Sequence, residues 1–251
     1  VLACVFFMVA GLFFSGCETT DTNPTGPDKA GTASQVNILM SGRSIMQGWF
    51  SHWGSDGSRA VPHDPYMLYY GALWSPPDII DSLQWQLNNV VKGNGWTIFF
   101  KLCFADFDGS SPESAAENLA RNTGYLEKAF NLVVSGKGLP IIFATALPKV
   151  RASTTEGLVW NHRAYNQRIK NMAAAHPGEI YVFDIYSILA DSEGSLRADY
   201  AASPTDSHLN ARAYAALDAV FFAMLDETDL SSSTSKRLQM NKKKPQPPLR
   251  R

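Results

Sequence analysis

Val36-Asn37-Ile38-Leu39-Met40-Ser41-Gly42-Arg43-Ser44-Ile45-Met46-Gln47-Gly48-Trp49 is the stretch from which the fold can be read. Its first half is an apolar run closing in small polar residues, the pattern of a buried strand. Its second half reads as a tight turn entering a helix. A serine just past such a strand carries its hydroxyl to the carboxyl edge of a sheet, beside backbone N–H groups that a helix N-terminus leaves unpaired. Ser44 stands where an acyl-transfer nucleophile would stand.

Working outward, strands and helices alternate. Asp78 is placed to cap a helix running to about residue 91, with Ile79, Ile80, Leu83, Leu87 and Val90 on one face. Residues 96–104 read as a second buried strand, and Ser111-Pro112-Glu113 opens a helix reaching about residue 134. Residues 139–147 form a third expected strand, 158–175 a helix stopped by His176-Pro177-Gly178, 179–185 a fourth strand, and 210–225 a final helix. This order predicts an α/β protein of three α/β/α layers around a mostly parallel sheet. Residues 51–77 are expected to be a long irregular loop carrying Trp53, Tyr66, Tyr69, Tyr70 and Trp74. A substrate rim and simple packing onto the body are equal readings of those aromatics.

A chain of 251 residues, 45% hydrophobic and 12% aromatic, can bury one substantial core between two tails. A net charge of -1 leaves no electrostatic footprint for nucleic acid. Lys236, Arg237, Lys242, Lys243, Lys244, Arg250 and Arg251 lie in a Ser- and Pro-rich segment, 228–251, read as a disordered, solvated tail. Residues 1–14 are almost wholly apolar and read as the core of a secretory signal, and residues 18–35 as a flexible tether. Phe14-Ser15-Gly16-Cys17 resembles the bacterial lipobox. That resemblance implies lipidation at Cys17 and anchoring in the cell envelope, an ordinary signal being the alternative. Cys4 would leave with the signal, so Cys103 would remain alone in an apolar run as an inert core thiol, without a disulfide framework.

A serine hydroxyl is a weak nucleophile without a base, and there are five histidines to supply one. His208, in Pro204-Thr205-Asp206-Ser207-His208-Leu209-Asn210, precedes the last helix and has Asp206 two residues away. The competing reading makes Asp206 a helix cap with His208 in the first turn. His162 lies within a helix as a surface or packing residue, His52 and His63 lie in the aromatic loop, and His176 is a helix stop. No metal spacing, phosphate loop or dinucleotide fingerprint is present, so neither metal nor cofactor is expected.

The pattern Gly42-x-Ser44-Ile45-x-x-Gly48 resembles the first block of the SGNH, or GDSL, hydrolase family, with Arg43 replacing the usual aspartate. Asp206-Ser207-His208-Leu209-Asn210 resembles its last block. There the family spacing is Asp-x-x-His, whereas here that position holds Thr205. Over residues 36–227 the resemblance implies a flavodoxin-like sheet, Ser44 as nucleophile, His208 as base and Asp206 as its orienting carboxylate. It also implies an oxyanion hole built from the Ser44 N–H and Gly71 of Tyr70-Gly71-Ala72. In the third block, Cys103-Phe104-Ala105-Asp106, only Asp106 matches, and Ala105 stands where an asparagine donor is usual. Arg43 or a loop amide is the candidate replacement. Arg43, Trp49 and Trp74 are expected at the substrate. The resulting expectation is an exported, lipid-anchored, monomeric serine esterase acting on acyl, chiefly acetyl, esters of carbohydrate. A non-catalytic surface lipoprotein that binds glycan or acts as a scaffold is the alternative, and acyl transfer shares the same acyl-enzyme.

Overall fold

The computed structural model describes residues 35–228 and Leu230. The signal-like segment with Cys17, the tether up to residue 34 and nearly all of the basic tail lie outside the described residues.

The opening stretch forms β1 (Val36–Gly42) followed directly by α1 (Ser44–His52). A six-stranded sheet grows around it in the order β2-β3-β1-β4-β5-β6, with β2 (Val61–His63), β3 (Tyr66–Ala72), β4 (Trp96–Phe100), β5 (Ile141–Ala144) and β6 (Ile180–Phe183). Every pairing is parallel except β2 with β3. The two-residue period of a strand then separates two cores. Ile38, Met40, Phe99, Ile142 and Ala144 join α1 and α6 (Ala211–Glu227) through Trp49, Phe50, Leu217 and Phe221. Leu39, Ile98, Phe100, Ile141 and Phe143 face α2 (Ile79–Asn89), α3 (Pro112–Phe130) and α4 (Glu156–Ala175) through Leu83, Leu126, Leu158 and Ile169. Each fully buried Leu, Ile, Met or Phe among them contributes about 1.5–3 kcal/mol relative to exposure. Side chains of Ser111, Thr155 and Asn210 cap α3, α4 and α6 by accepting the N–H of Ser114, Leu158 and Ala213, all at 3.1 Å. Losing any one of these caps costs about 1 kcal/mol.

Three expectations need correction. Residues 51–77 are not a structureless loop, because Tyr66-Met67-Leu68-Tyr69-Tyr70 is rich in strand-favouring aromatics. It forms β3, paired with β1 from Val36↔Tyr66 to Gly42↔Ala72. The fourth expected strand ends early: Asp184 accepts the Ser187 N–H at 3.2 Å and opens the short α5 (Ile185–Leu189). The last block is neither a loop nor a helical turn but a hairpin, β7 (Ala201–Ser203) with β8 (Asp206–Leu209). Asn210, not Asp206, caps the helix that follows.

With antiparallel β2 set aside, the five parallel strands run 2-1-3-4-5, the flavodoxin-like order. The chain moves from β1 to β3 on one side and then to β4 on the other. That reversal leaves a crevice at the carboxyl ends of β1 and β4, where Ser44 begins its helix.

Candidate active site

Ser44 is the first residue of α1, and in that first turn Met46 and Gln47 donate to the Arg43 carbonyl at 2.8 and 3.1 Å. The Ser44 and Ile45 N–H groups precede any intrahelical acceptor and point out of the helix end, where the helix dipole favours negative charge. Ser44 is exposed, whereas Ile45, Met46, Trp49 and Phe50 form the buried face of the same helix. Gly48 is what lets the C-terminal half of the chain reach this helix. A Cβ there would stand 2.1 Å from the Tyr214 hydroxyl, which donates to the Ile45 carbonyl at 3.2 Å. The contact docks α6, and with it the hairpin that precedes α6, against the serine-bearing helix.

The hairpin brings His208 Nε2 to 3.0 Å from Ser44 Oγ. On the far side of the ring, Nδ1 lies 2.7 Å from Asp206 Oδ1, which also accepts the His208 backbone N–H at 2.9 Å. The shortened Asp-x-His spacing works because a strand carries residues i and i+2 on one face, so Asp206 and His208 stand side by side. The His208 N–H, and then its ring, hold the Asp206 carboxyl below the usual carboxylate range. The carboxylate therefore stays ionised and fixes a proton on Nδ1, leaving Nε2 to accept from the serine. Phe104 closes the site from the short turn that follows β4, its ring edge-on to His208 with centroids 5.2 Å apart and planes at 89°. Three further hydrogen bonds steady the hairpin. Ser207 Oγ accepts the Val150 N–H at 3.1 Å, and Asn210 Nδ2 donates to the carbonyls of Asp199 and Ala201 at 3.0 and 3.1 Å.

Arg43 is fastened rather than free. Its Nη1 donates to Ser75 Oγ at 2.9 Å, its Nη2 forms an ion pair with Asp106, and its Nε is buried without a partner. Asp106 is 2% exposed and takes the Cys103 N–H at 2.7 Å, while its carbonyl receives Asn118, Arg121 and Asn122. Lys101 is buried nearby and donates to the Leu102 carbonyl at 2.9 Å; burial pushes its ammonium below the ordinary lysine range, against the pull of Asp106. Ala105 sits in the same short turn with no polar side chain to offer.

Two expected site residues are elsewhere. Trp49 is fully buried, its indole N–H donating to Asp218 Oδ1 at 2.6 Å, because its place on α1 faces the core rather than the crevice. It is a packing residue, not a substrate contact. Gly71 lies inside the sheet opposite Ser41. The Leu73 N–H donates to the Gly42 carbonyl at 3.0 Å, so by the alternation of a strand the Gly71 N–H also points into β1 and not at the crevice. Its glycine identity serves Gln86, whose Oε1 would stand 2.5 Å from an added Cβ. That side chain accepts the Ser41 hydroxyl and donates to the Ala72 carbonyl, each at 2.7 Å. Trp74 is 51% exposed on the loop leaving β3, next to Ser75. Cys103 is buried, and among the described residues no three His, Cys, Asp or Glu side chains converge as a metal site.

Neither a protein-family model nor a curated protein sequence matches this chain. Solved structures do. A member of the lipolytic G-D-S-L family from Veillonella parvula superposes with a TM-score of 0.55 at 21% identity, over 77% of this chain and all 100% of that one. A proposed acylhydrolase from Bacteroides fragilis gives a TM-score of 0.55 at 16% identity, over 80% of this chain and 89% of that one. The sheet order, the two helical layers and these superpositions identify the architecture as the SGNH/GDSL hydrolase fold.

Proposed function

We propose that this protein is a serine ester hydrolase. The observation that carries the reading is the unbroken hydrogen-bond chain from Ser44 through His208 to Asp206 at the carboxyl edge of the sheet. Ser44 Oγ attacks the ester carbonyl while His208 Nε2 takes its proton, giving a tetrahedral oxyanion. His208 then protonates the departing alkoxide, and water repeats the sequence on the acyl-enzyme to release the acid. The Ser44 N–H is one donor to the oxyanion. The Arg43 guanidinium, one residue away and anchored on Asp106, supplies the second in place of the donor that Ala105 lacks. Acetyl groups carried on carbohydrate are the substrate in this reading, with export and anchoring through Cys17 as its cellular setting.

The test is hydrolysis of p-nitrophenyl acetate. Ser44→Ala should lower the rate by at least about 10³, and a fluorophosphonate should label the parent but not the variant. A variant as fast as its parent overturns the reading. The missing polar side chain at Ala105 favours one other reading, a non-catalytic glycan-binding or scaffold protein on this fold, and a parent that resists the fluorophosphonate would favour it over the esterase. Palmitate incorporation lost in Cys17→Ser checks the anchor.

A further inference from the structure

The loop leaving β5 and the start of α4 enclose an open groove of about 660 Å³ lined by Arg151, Thr154, Glu156, Trp160, Arg163 and Glu193. It adjoins the candidate catalytic hairpin. Val150, which precedes Arg151, bridges to Leu196 and donates its N–H to Ser207, the residue between Asp206 and His208. Trp160 lies on the second turn of α4 and is 50% exposed. Across the sheet in strand order, Trp74 is 51% exposed after β3, Ser44 follows β1, and the Trp160 groove follows β5. In strand order Ser44 thus lies between an open indole on the loop after β3 and another near the start of α4.

The charges of the groove say what it suits. Two arginines and two glutamates balance, and Arg151 is paired with Glu193. An anionic ligand would have to displace Glu193 and lie beside Glu156. A neutral pyranose would not: its C–H face lies flat on an indole, and its hydroxyls both donate to glutamate and accept from arginine and threonine. We infer that this groove is a binding subsite for a neutral oligosaccharide, holding the sugar chain whose ester group is presented to Ser44. The inference rests on the esterase reading for the role of the ester, and on the groove alone for the sugar.

The test is calorimetric titration of the Ser44→Ala protein with xylotetraose, cellotetraose and chitotetraose, so that binding is read without turnover. At least one should bind with a Kd on the order of 1 mM or tighter. In the same background Trp160→Ala should weaken that binding at least tenfold and Trp160→Phe much less. Trp85→Ala, which removes an equally open indole on α2 away from the groove, should leave it unchanged. Far-UV circular dichroism confirms that each variant is folded. The inference is overturned if none of the three sugars binds, if Trp160→Ala binds like its background, or if Trp85→Ala weakens binding as much. Sugar binding that persists in a protein inert to p-nitrophenyl acetate and fluorophosphonate would instead overturn the esterase reading alone.

Discussion

His208 and His162 each stand edge-on to a phenylalanine of one short segment, Phe104 and Phe107, with ring centroids 5.2 and 4.9 Å apart. Everything else about them differs. The His208 side chain is 44% exposed and has a partner at both ring nitrogens. His162 is 0% exposed, and neither of its nitrogens has a partner. Burial, with a smaller contribution from the Lys149 charge, pushes its pKa down to about 3, so at neutral pH it is an uncharged ring packed between Phe107 and Tyr186. One imidazole is wired to a hydroxyl and a carboxylate, and the other is filler. What makes a histidine a base is the pair of atoms at its two nitrogens and its access to solvent, not its neighbourhood of aromatic rings.

The sharpest way to break the contrast is to remove each ring in turn. His208→Ala should reduce kcat/KM on p-nitrophenyl acetate by about 10⁵, while His162→Phe should change it by less than about threefold. Comparable losses in the two variants would erase the distinction. Next in size is the segment shared by both rings. Asp106 lies between Phe104 and Phe107 and neutralises a largely buried Arg43, so Asp106→Ala leaves a guanidinium unpaired and strips the Cys103 N–H of its acceptor. A loss of about 3 kcal/mol in urea unfolding is expected; an unchanged midpoint would mean that Arg43 is not held by this ion pair. Smaller again is Asp206→Asn. A buried triad carboxylate is worth about 10⁴ in rate, but Asp206 is 49% exposed, and water can take over part of its role. A fall of about 10² in kcat is expected, and one as deep as that of His208→Ala would show that orientation of the ring depends wholly on this carboxylate.

The parts of the molecule that sequence reveals are those governed by local rules. β1 and α1 are legible because an apolar run, small residues and a helical pattern follow one another, and the Ser111 cap and the Asn210 helix start follow from capping chemistry. Ser44 and His208 can be picked out as partners only through family resemblance, since the contact joins residues 164 positions apart. β3 is hidden because its Tyr-rich run is flanked by Gly and Pro, which argue locally for loop, whereas pairing with β1 supplies the stabilisation that makes it a strand. Trp49 and Gly71 mislead for a related reason. Each is close in sequence to the crevice, but helix phase turns one into the core and ladder phase turns the N–H of the other into the sheet. Burial decides between His162 and His208, and burial is a property of the assembled layers.

His162 also carries the subtlest test of the contrast, on stability rather than rate. Its folded pKa of about 3 lies below the 6.5 of an unhindered ring, so between those values the unfolded chain binds a proton that the folded chain refuses. Stability from this group is fully present above pH 6.5 and is lost as pH falls toward 3, at up to about 1.4 kcal/mol per pH unit. By pH 5 the loss should reach about 2 kcal/mol relative to pH 8. His162→Phe keeps the ring contacts, removes two unpartnered buried nitrogens and abolishes the proton uptake. Urea midpoints measured at pH 5 and pH 8 should therefore draw together in the variant by about that amount. Asp206 and Asp184, whose carboxyls are both held low, lose stability only below about pH 5 and do so in parent and variant alike, so they cancel in the comparison. Identical pH slopes in the two proteins would mean that the His162 ring reaches water in the folded state. The two histidines would then differ only in their partners, and solvent exclusion would no longer explain why one is inert.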